Sequence, residues 1–173
     1  MSDFSEIIVN RCSCRKFTSQ PIEKEKVDAI LAAALRAPSG KSVYPCEFII
    51  VDDPSQLAQL SVAKQHGAAL LSKATCAIVV VADTSKTDVW VEDASIASTF
   101  IMLEAENQGL GCCWVQMRLR GTDNGVSATD NLRQLLNLNP QHQVLSVMAL
   151  GYKDESHHPH TNLKVEQIHY GKL

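Results

Sequence analysis

The sequence lacks a long hydrophobic run. Its longest uninterrupted apolar stretch extends from Cys76 to Ala82, far short of the roughly 20 residues that a membrane-spanning helix needs. The first residues, Met1 to Glu6, also lack the basic start and apolar core of a secretory signal. We therefore expect a cytoplasmic protein that does not cross a membrane.

An excess of positive charge is also absent. The chain has 16 lysines and arginines against 19 aspartates and glutamates, and its formal net charge is -3. Nucleic-acid binding requires a face of clustered cations, so the composition argues against a nucleic-acid partner. An apolar share of 45% and a charged share of 20% are typical of a globular protein, and we treat residues 1–173 as a single domain.

The cysteines lack the spacing of a disulfide framework, a Cys-x-x-Cys redox pair or a zinc site. Six are present, at positions 12, 14, 46, 76, 112 and 113. Buried free thiols are the simpler interpretation. A thiol redox or metal centre at Cys12, Cys14, Cys112 and Cys113 stays open as an alternative. Neither a catalytic triad nor a pair of catalytic carboxylates is evident.

The strongest pattern that is present is one apolar helix, predicted from Asp88 to Gln108. Apolar or small residues occupy so many of its angular positions that no broad polar face remains. We expect other elements to cover it on most sides, which makes it a candidate for both the core axis and a subunit interface. Gly109 is predicted to stop this helix in a left-handed conformation, and residues 112–116 are predicted to form a buried strand.

The other hydrophobic periodicities predict helices and strands interspersed along the chain. Helices are expected at residues 4–9, 22–37, 54–65 and 130–136, and strands at residues 46–51, 75–82 and 143–151. Repeats and linkers are absent, so we expect helices around one sheet. The last 22 residues, from Tyr152 to Leu173, show no core-forming period. Ordering such a segment alone is costly, and we expect it to lie across another surface, such as a second subunit.

Two short segments invite a chemical interpretation. Residues 11–16 bring together three cations and a hydroxyl group. A phosphate is bound by forked guanidinium donors together with hydroxyl or backbone donors, so this segment is a candidate anion site, with a solvated loop as the alternative. In the tail, His157, His158 and His160 flank Pro159, and we interpret them as a polar turn rather than a metal site.

In their order along the chain, these segments resemble the nitroreductase family of flavin mononucleotide (FMN) oxidoreductases. The resemblance rests on Arg-x-Ser-x-Arg at residues 11–15, Ala-Pro-Ser at 37–39, Pro-x-x-Phe at 45–48, the helix segment 93–97 running into Gly-Leu-Gly and Trp114, and the closing segment 168–170. It covers nearly the whole chain.

The resemblance implies an α+β fold with a mixed sheet flanked by helices, assembled as an intertwined homodimer with two FMN sites at the subunit interface. The tail, residues 152–173, would pack on the partner subunit. Three groups of residues would bind the cofactor. They are Arg11, Cys12, Ser13 and Arg15 at the phosphate and ribityl chain, Ser39 and Ser42 reaching the flavin from the partner subunit, and backbone donors of Cys113, Trp114 and Val115 at the isoalloxazine.

Two departures from the family pattern are visible. Ser42-Val43-Tyr44-Pro45-Cys46 stands where many members have Asn-x-Gln-Pro-Trp, so a hydroxyl replaces an amide that often contacts the flavin. Many members also bring a late lysine or arginine to the phosphate. Here the corresponding tail offers His157, His158 and His160, with Lys164 as the nearest cation, and Arg118, Arg120 or another group is an alternative.

The family resemblance further implies an enzyme that transfers a hydride from NADH or NADPH through FMN to a small organic acceptor, such as a nitroaromatic compound or a quinone. In such an enzyme the flavin carries the chemistry and the protein binds, orients and tunes it. The competing hypothesis is an FMN-binding carrier or sensor protein that does not turn over.

Overall fold

The fold is built on a four-stranded sheet with the strand order β1-β2-β4-β3. The strands are β1 (Cys46–Val51), β2 (Cys76–Asp83), β3 (Gly111–Gln116) and β4 (His142–Gly151). The structure is a computed structural model that describes residues 3–156, Pro159 and residues 161–172. All three neighbouring strand pairs are antiparallel. A parallel pairing occurs at an isolated bridge between Ser13 and Cys112. The α+β fold predicted from the sequence is confirmed.

Five helices cover the two faces of this sheet in the described part of the chain. They are α1 (Phe4–Asn10), α2 (Lys24–Leu35), α3 (Pro54–Leu60), α4 (Trp90–Asn107) and α5 (Ala128–Leu136). One apolar cluster joins α2 and α4 to the sheet, and a second joins α3 and α5 to its other face. Every residue of β2 is buried, as expected for a strand that has neighbours on both edges and helices on both faces.

Helix α4 ends as the sequence predicts. Gly109 has φ +73°, and the backbone N–H of Leu110 donates to the carbonyl of Ala105 at 2.8 Å. This is the hydrogen bond of a Schellman cap, which glycine favours because it adopts the left-handed conformation without steric cost. The chain therefore turns sharply from α4 into β3.

One chain covers most of the circumference of α4, but the sides of the helix differ in burial. Ala94, Ala97 and Ile101 are buried, whereas Ile96 and Phe100 on the other side are only half-buried. Only Glu92 and Thr99 of this helix are exposed, so the expectation that α4 is covered on most sides is confirmed. The half-buried side remains available for another contact.

The predicted helix at residues 54–65 ends earlier, at Leu60. Asp53 caps it as expected, by accepting from the N–H of Gln56. The Ser61 hydroxyl donates to the Ala58 carbonyl at 2.7 Å, and such local bonds compete with helix continuation. The sequence reading also missed a short 3-10 helix at Ala69–Lys73. Elsewhere the predicted elements match to within about two residues, which is the ordinary uncertainty of helix ends.

The tail after β4 contains one 3-10 turn at Val165–Gln167 among its described residues. His157, His158 and His160, for which we predicted a polar turn, lie outside the described residues. None of the described helices combines the length and the apolar character needed to span a lipid bilayer.

Candidate functional site

Residues 11–18, here called the strap, pair first with the outer edge of β3 and then with the residues that follow β4. Ser13 bridges to Cys112, and the N–H of Cys14 donates to the Cys112 carbonyl at 3.0 Å. Further along, the N–H of Thr18 donates to the Tyr152 carbonyl at 2.9 Å. These bonds fix the predicted phosphate-binding segment to the sheet as an added edge.

Two glycines make room for the strap where it crosses the sheet. Gly111 and Gly151 are register partners on β3 and β4. A Cβ on Gly111 would lie 2.6 Å from the Cys14 sulfur, and one on Gly151 would lie 2.8 Å from the Phe17 ring. These contacts are too short for any side chain. The glycines therefore let Cys14 and Phe17 pack directly on the strand backbones.

In the part of the chain that the structure describes, the guanidinium groups of the strap have no acidic partner. Arg11 is half-buried and Arg15 is exposed. Among the described residues, neither forms an ion pair. Arg15 donates from Nη1 to the Ser13 carbonyl at 3.2 Å. Glu155 lies nearby, and its Oε1 accepts from the backbone N–H of Arg15 at 2.7 Å. Both guanidinium groups therefore retain donors for an anion.

Strand β3 presents backbone donors beside the strap. Residues of an edge strand alternate between those whose N–H and C=O face the neighbouring strand and those whose groups face outward. The Cys112 carbonyl faces outward to Cys14, so the N–H groups of Trp114 and Gln116 face outward as well. By the same alternation, the N–H groups of Cys113 and Val115 face β4. Among the three predicted backbone donors, Trp114 thus has its N–H on the outer edge.

The sequence reading missed Gln116, which is tied to Trp114. The indole N–H of Trp114 donates to Gln116 Oε1 at 2.8 Å, and Gln116 Nε2 donates to the Arg118 carbonyl at 3.1 Å. The Arg118 guanidinium lies 5.8 Å from the centre of the Trp90 ring, within the range of a cation–π contact. These side chains form a polar and aromatic rim at the end of β3.

The Ser39–Tyr44 loop is held by the buried carboxylate of Asp93 at the start of α4. Asp93 is 4% exposed. Its Oδ2 accepts from the Ser39 hydroxyl at 2.8 Å and its Oδ1 from the N–H of Gly40 at 2.8 Å. Ser39 Oγ in turn accepts from the N–H of Tyr44 at 2.9 Å. The role of Asp93 could not be recognised from the sequence, because a carboxylate in the first helical turn is ordinarily a helix-dipole partner.

The tip of this loop is strained. Lys41, Ser42 and Tyr44 have φ values of +53°, +55° and +50°, a conformation that side chains with a Cβ rarely adopt. Ser42 and Tyr44 are exposed, so packing does not impose these angles. Strain of this kind is characteristic of binding loops, and the Asp93 contacts help to maintain it.

A single chain does not bring the strap and the loop together. Ser39 bonds to Asp93 at the start of α4. The strap crosses the sheet beside the other end of α4, where the Ala105 carbonyl accepts from the N–H of Leu110. Asp93 and Ala105 are 12 positions apart on α4, which corresponds to about 18 Å along the helix. The predicted residues therefore form two half-sites, with Arg11, Cys12, Ser13, Arg15, Cys113, Trp114 and Val115 in one and Ser39 and Ser42 in the other.

The late cation closest to the strap is already paired. Lys153 Nζ lies 2.7 Å from Glu106 Oε2 in a partly buried ion pair. Lys164 is exposed in the tail. The Arg118 guanidinium lies over the Trp90 ring. Arg120 is a further exposed cation after β3.

The thiols do not form a reactive centre. All six cysteines are free. Burial raises the pKa of Cys14 to about 11, and it also raises the pKa of Cys12, Cys112 and Cys113. A raised pKa favours the protonated thiol, whereas the nucleophile is the thiolate. Within the described ranges, no group of three or more His, Cys, Asp or Glu side chains is placed to hold a metal ion.

Lys64 is the third residue that the sequence reading missed. It follows α3, is only 9% exposed, and acts electrostatically on the Cys113 thiol. Lysines are normally exposed, so the amino-acid type gave no signal that this one is buried.

The model of the nitroreductase family matches residues 8–64 and 56–152. A protein of Archaeoglobus fulgidus described as an NADH dehydrogenase/NAD(P)H nitroreductase is 36% identical over 160 residues, which cover 90% of this chain and 88% of the relative.

Two solved structures are similar in both sequence and fold. An FMN-dependent nitroreductase from Clostridium difficile R20291 is 39% identical with a TM-score of 0.95, and the match covers 96% of this chain and 98% of the other. A protein from Parabacteroides distasonis with the same description as the Archaeoglobus relative is 33% identical with a TM-score of 0.90, over the full length of both chains. The family match spans most of the chain and agrees with the strap, the loop and the glycine turn. This chain belongs to the nitroreductase family.

Proposed function

We propose that this protein is an FMN-dependent oxidoreductase, in which a hydride from NADH or NADPH passes through FMN to a small organic acceptor such as a nitroaromatic compound or a quinone. The observation that most directly supports this proposal is the geometry of the strap. It fixes two guanidinium groups, which form no ion pair with any residue that the structure describes, beside the outward N–H groups of an edge strand. The names of the similar proteins support the same cofactor and donor.

The residues of the strap and of β3 fit a flavin nucleotide. Arg11, Arg15 and the Ser13 hydroxyl offer charge-assisted donors to a phosphate. The outward N–H groups of Trp114 and Gln116 offer donors to the polar edge of a ring system laid along β3. FMN, when bound, supplies the electron-accepting and electron-donating chemistry. This chain needs only to bind and orient it.

We propose that two copies of the chain form each site. The Ser39–Tyr44 loop of one copy would meet the strap of the other, because about 18 Å of α4 separates these half-sites within one chain. Ser39 and Ser42 would thus approach the flavin bound by the partner subunit. The half-buried side of α4 supplies an apolar surface for such a contact.

The tail supports the same assembly. Its described part exposes Leu163, Val165, Ile168 and Tyr170, the last with 94% of its surface accessible. Exposed apolar side chains in series are characteristic of an interface. We propose that residues 152–173 pack on the partner subunit, and that the six free thiols reflect a reducing, cytoplasmic environment.

Purification and anaerobic reduction test this function. The purified protein should be yellow, NADH or NADPH should bleach it in the absence of oxygen, and a nitroaromatic compound or quinone should restore the colour. Colour that persists in the presence of both donors would identify a flavin carrier or sensor instead. A colourless protein that does not bind added FMN would reject both functions.

The strap assignment has its own test in the double variant Arg11→Ala/Arg15→Ala. Each charge-assisted phosphate contact contributes roughly 1.5 to 3 kcal/mol, so FMN affinity should fall by a factor of at least about 100, as measured by quenching of flavin fluorescence. The matched control is Lys16→Ala, which removes an exposed strap cation that we do not assign to the phosphate. Unchanged FMN affinity in the double variant would refute the assignment.

A further inference from the structure

The guanidinium group of Arg118 lies at the end of β3 and forms no ion pair with any residue that the structure describes. The backbone of Arg118 is bonded on both sides. Its carbonyl accepts from Gln116 Nε2 at 3.1 Å, and its N–H donates to the Leu145 carbonyl at 3.0 Å. Its side-chain N–H groups donate none of the hydrogen bonds found in the described ranges. This half-buried guanidinium group therefore retains its donors for a ligand.

Trp90 and the rim at the end of β3 hold this guanidinium group in place. It lies over the Trp90 ring, 5.8 Å from the ring centre. Such a contact depends on the charge of the cation and the face of the ring, and it does not use the N–H donors. Gln116 connects Arg118 to the indole of Trp114. The forked donors are thus positioned and available, and a fork of this kind binds the two oxygens of a carboxylate or phosphate.

Strand geometry places Arg118 beyond the far end of the proposed flavin. The strap, which we assign to the phosphate, bonds to β3 at Cys112. Gln116 is four residues further along β3, about 13 Å away at the rise of a strand. A ring system laid along β3 therefore extends towards Gln116, and Arg118 follows two residues later. A compound that stacks on the ring would have Arg118 at its edge.

The charges around this position favour an anionic ligand. Arg120, two residues further on, is exposed and also forms no ion pair with a described residue. Asp93, one turn from Trp90 on α4, is already bonded to the Ser39–Tyr44 loop. Glu92 is exposed to solvent. The end of β3 thus carries two guanidinium groups and, in the described part of the chain, no carboxylate paired with either.

We infer that Arg118 is a specificity-determining residue that binds an anionic group of the acceptor, and that the preferred acceptors are aromatic compounds with a carboxylate on the ring. This inference rests on the proposed function, which places the acceptor at the flavin. The donor carries its phosphates beyond a ribose, away from its reacting ring. A carboxylate on the ring of the acceptor lies closer, within the short step from Gln116 to Arg118. Arg118 orients the acceptor and takes no part in the electron transfer.

The experiment compares two acceptors of nearly the same shape, 4-nitrobenzoate and its neutral amide 4-nitrobenzamide, with NADH as the donor and without oxygen. The readout is the ratio of their kcat/KM values. Arg118→Gln should lower this ratio about tenfold or more, the usual loss of a charge-assisted contact, through a higher KM for 4-nitrobenzoate. Arg118→Lys keeps the charge without the fork and should lower the ratio less. Lys24→Gln is the matched control, because it removes one exposed positive charge at the start of α2, and it should leave the ratio unchanged.

Salt provides a second readout that a purely structural arginine would not change. Added salt screens the attraction between a partly exposed guanidinium group and a carboxylate. The ratio of the two kcat/KM values should therefore fall with ionic strength in the wild type, and it should depend little on ionic strength in Arg118→Gln. The neutral acceptor corrects for any general effect of the substitution on turnover. FMN titration of Arg118→Gln should give an affinity close to that of the wild type, because Arg118 is not assigned to the flavin.

An acceptor ratio in Arg118→Gln equal to that of the wild type would overturn the inference. With both kcat/KM values unchanged, Arg118 does not contact the acceptor. With both reduced to the same extent, it supports the fold or the flavin. With a raised KM for NADPH, it binds a phosphate of the donor. In these cases the wild-type protein still reduces an acceptor, so the proposed function stands. A wild-type protein whose flavin neither NADH nor NADPH reduces would reject the proposed function and this inference together.

Discussion

At the scale of single residues, the site depends on the absence of a side chain at Gly111. A Cβ there would lie 2.6 Å from the Cys14 sulfur and 2.7 Å from its Cβ. Cys14 is fully buried and its N–H bonds to Cys112, so it cannot move without lifting the strap. The absence of a side chain at Gly111 therefore allows the strap position that places Arg11 and Arg15.

We predict that Gly111→Ala destabilises the protein by about 1–3 kcal/mol, the usual cost of overpacking, and weakens FMN binding. Urea unfolding and FMN titration measure the two effects. Gly125→Ala is the control, because nothing lies within 4 Å of that position and only its positive φ of +82° is unfavourable. It should reduce stability while leaving FMN affinity intact. Wild-type FMN affinity in Gly111→Ala would show that the strap does not hold the cofactor.

The buried thiols predict a loss of stability at high pH. The pKa of Cys14 is raised by burial from 9.0 to about 11 and that of Cys76 to about 12. Above pH 9 an unfolded chain has released these protons while the folded chain retains them. The free energy of unfolding therefore decreases from pH 9 up to the folded pKa values, by at most about 1.4 kcal/mol per pH unit for each thiol.

Urea unfolding under reducing conditions between pH 8 and pH 10.5 measures this effect. The variant Cys14→Ala/Cys76→Ala should start from a lower stability, because it removes buried sulfur atoms, and should show a shallower decrease above pH 9. Equal slopes for the variant and the wild type would show that these thiols ionise as readily in the folded chain as in the unfolded one.

At the scale of elements, α4 organises the molecule through two different faces. Ala97 is 2% exposed and lines a pocket together with residues of α2 and β1. Phe100 is only half-buried and does not belong to either core cluster. The sequence pattern predicted the helix and its glycine stop, but it could not separate these faces, because both are apolar.

This difference gives a paired prediction. Ala97→Glu places an unpaired carboxylate in the core, so it should unfold the chain, since burying a charge without a partner is strongly unfavourable. Phe100→Glu should leave a folded chain that sediments as a monomer and binds FMN weakly. Circular dichroism and sedimentation velocity distinguish the two outcomes. A stable dimer carrying Phe100→Glu with FMN bound would exclude this face of α4 from the interface.

Most elements could be predicted from the sequence because hydrophobic periodicity and cap residues are local signals. Asp53, Gly109 and the apolar run of β2 each determine structure within a few residues. The end of α3 was not predicted because the Ser61 hydroxyl bonds to a carbonyl of its own helix. The amino-acid sequence does not indicate whether a serine forms such a bond. The parallel bridge between Ser13 and Cys112 joins residues 99 positions apart, and no local pattern indicates it.

The candidate site was predictable only in part, for the same reason. Arg11, Ser13 and Arg15 stand in one short motif, so the sequence identifies them together. Lys64 and Asp93 are significant because tertiary structure buries them, the first without an acidic partner and the second under a strained loop. The alternation of β3 depends on which strand it pairs with, so the sequence could not single out Trp114 and Gln116 as the outward donors.

At the scale of the whole molecule, about 18 Å of α4 lies between the two half-sites that we propose for one chain. A symmetric dimer resolves this, because a two-fold axis applies every contact twice and brings each loop to the strap of the other copy. The exposed tail and the half-buried side of α4 are the surfaces that such a dimer would cover. In this account, FMN binding and dimer formation stabilise each other.

The most direct test of this account is subunit complementation, with FMN binding as the measurement. Arg11→Ala/Arg15→Ala removes the strap cations, and Ser42→Glu places a carboxylate on the exposed loop tip. Each variant alone should bind little FMN. After the two are mixed, dissociated and reassembled, each mixed dimer should contain one site with an intact strap and an intact loop, and binding should return to about one quarter of the wild-type sites. No recovery on mixing, or full FMN binding by Ser42→Glu alone, would contradict a site shared between two copies of the chain.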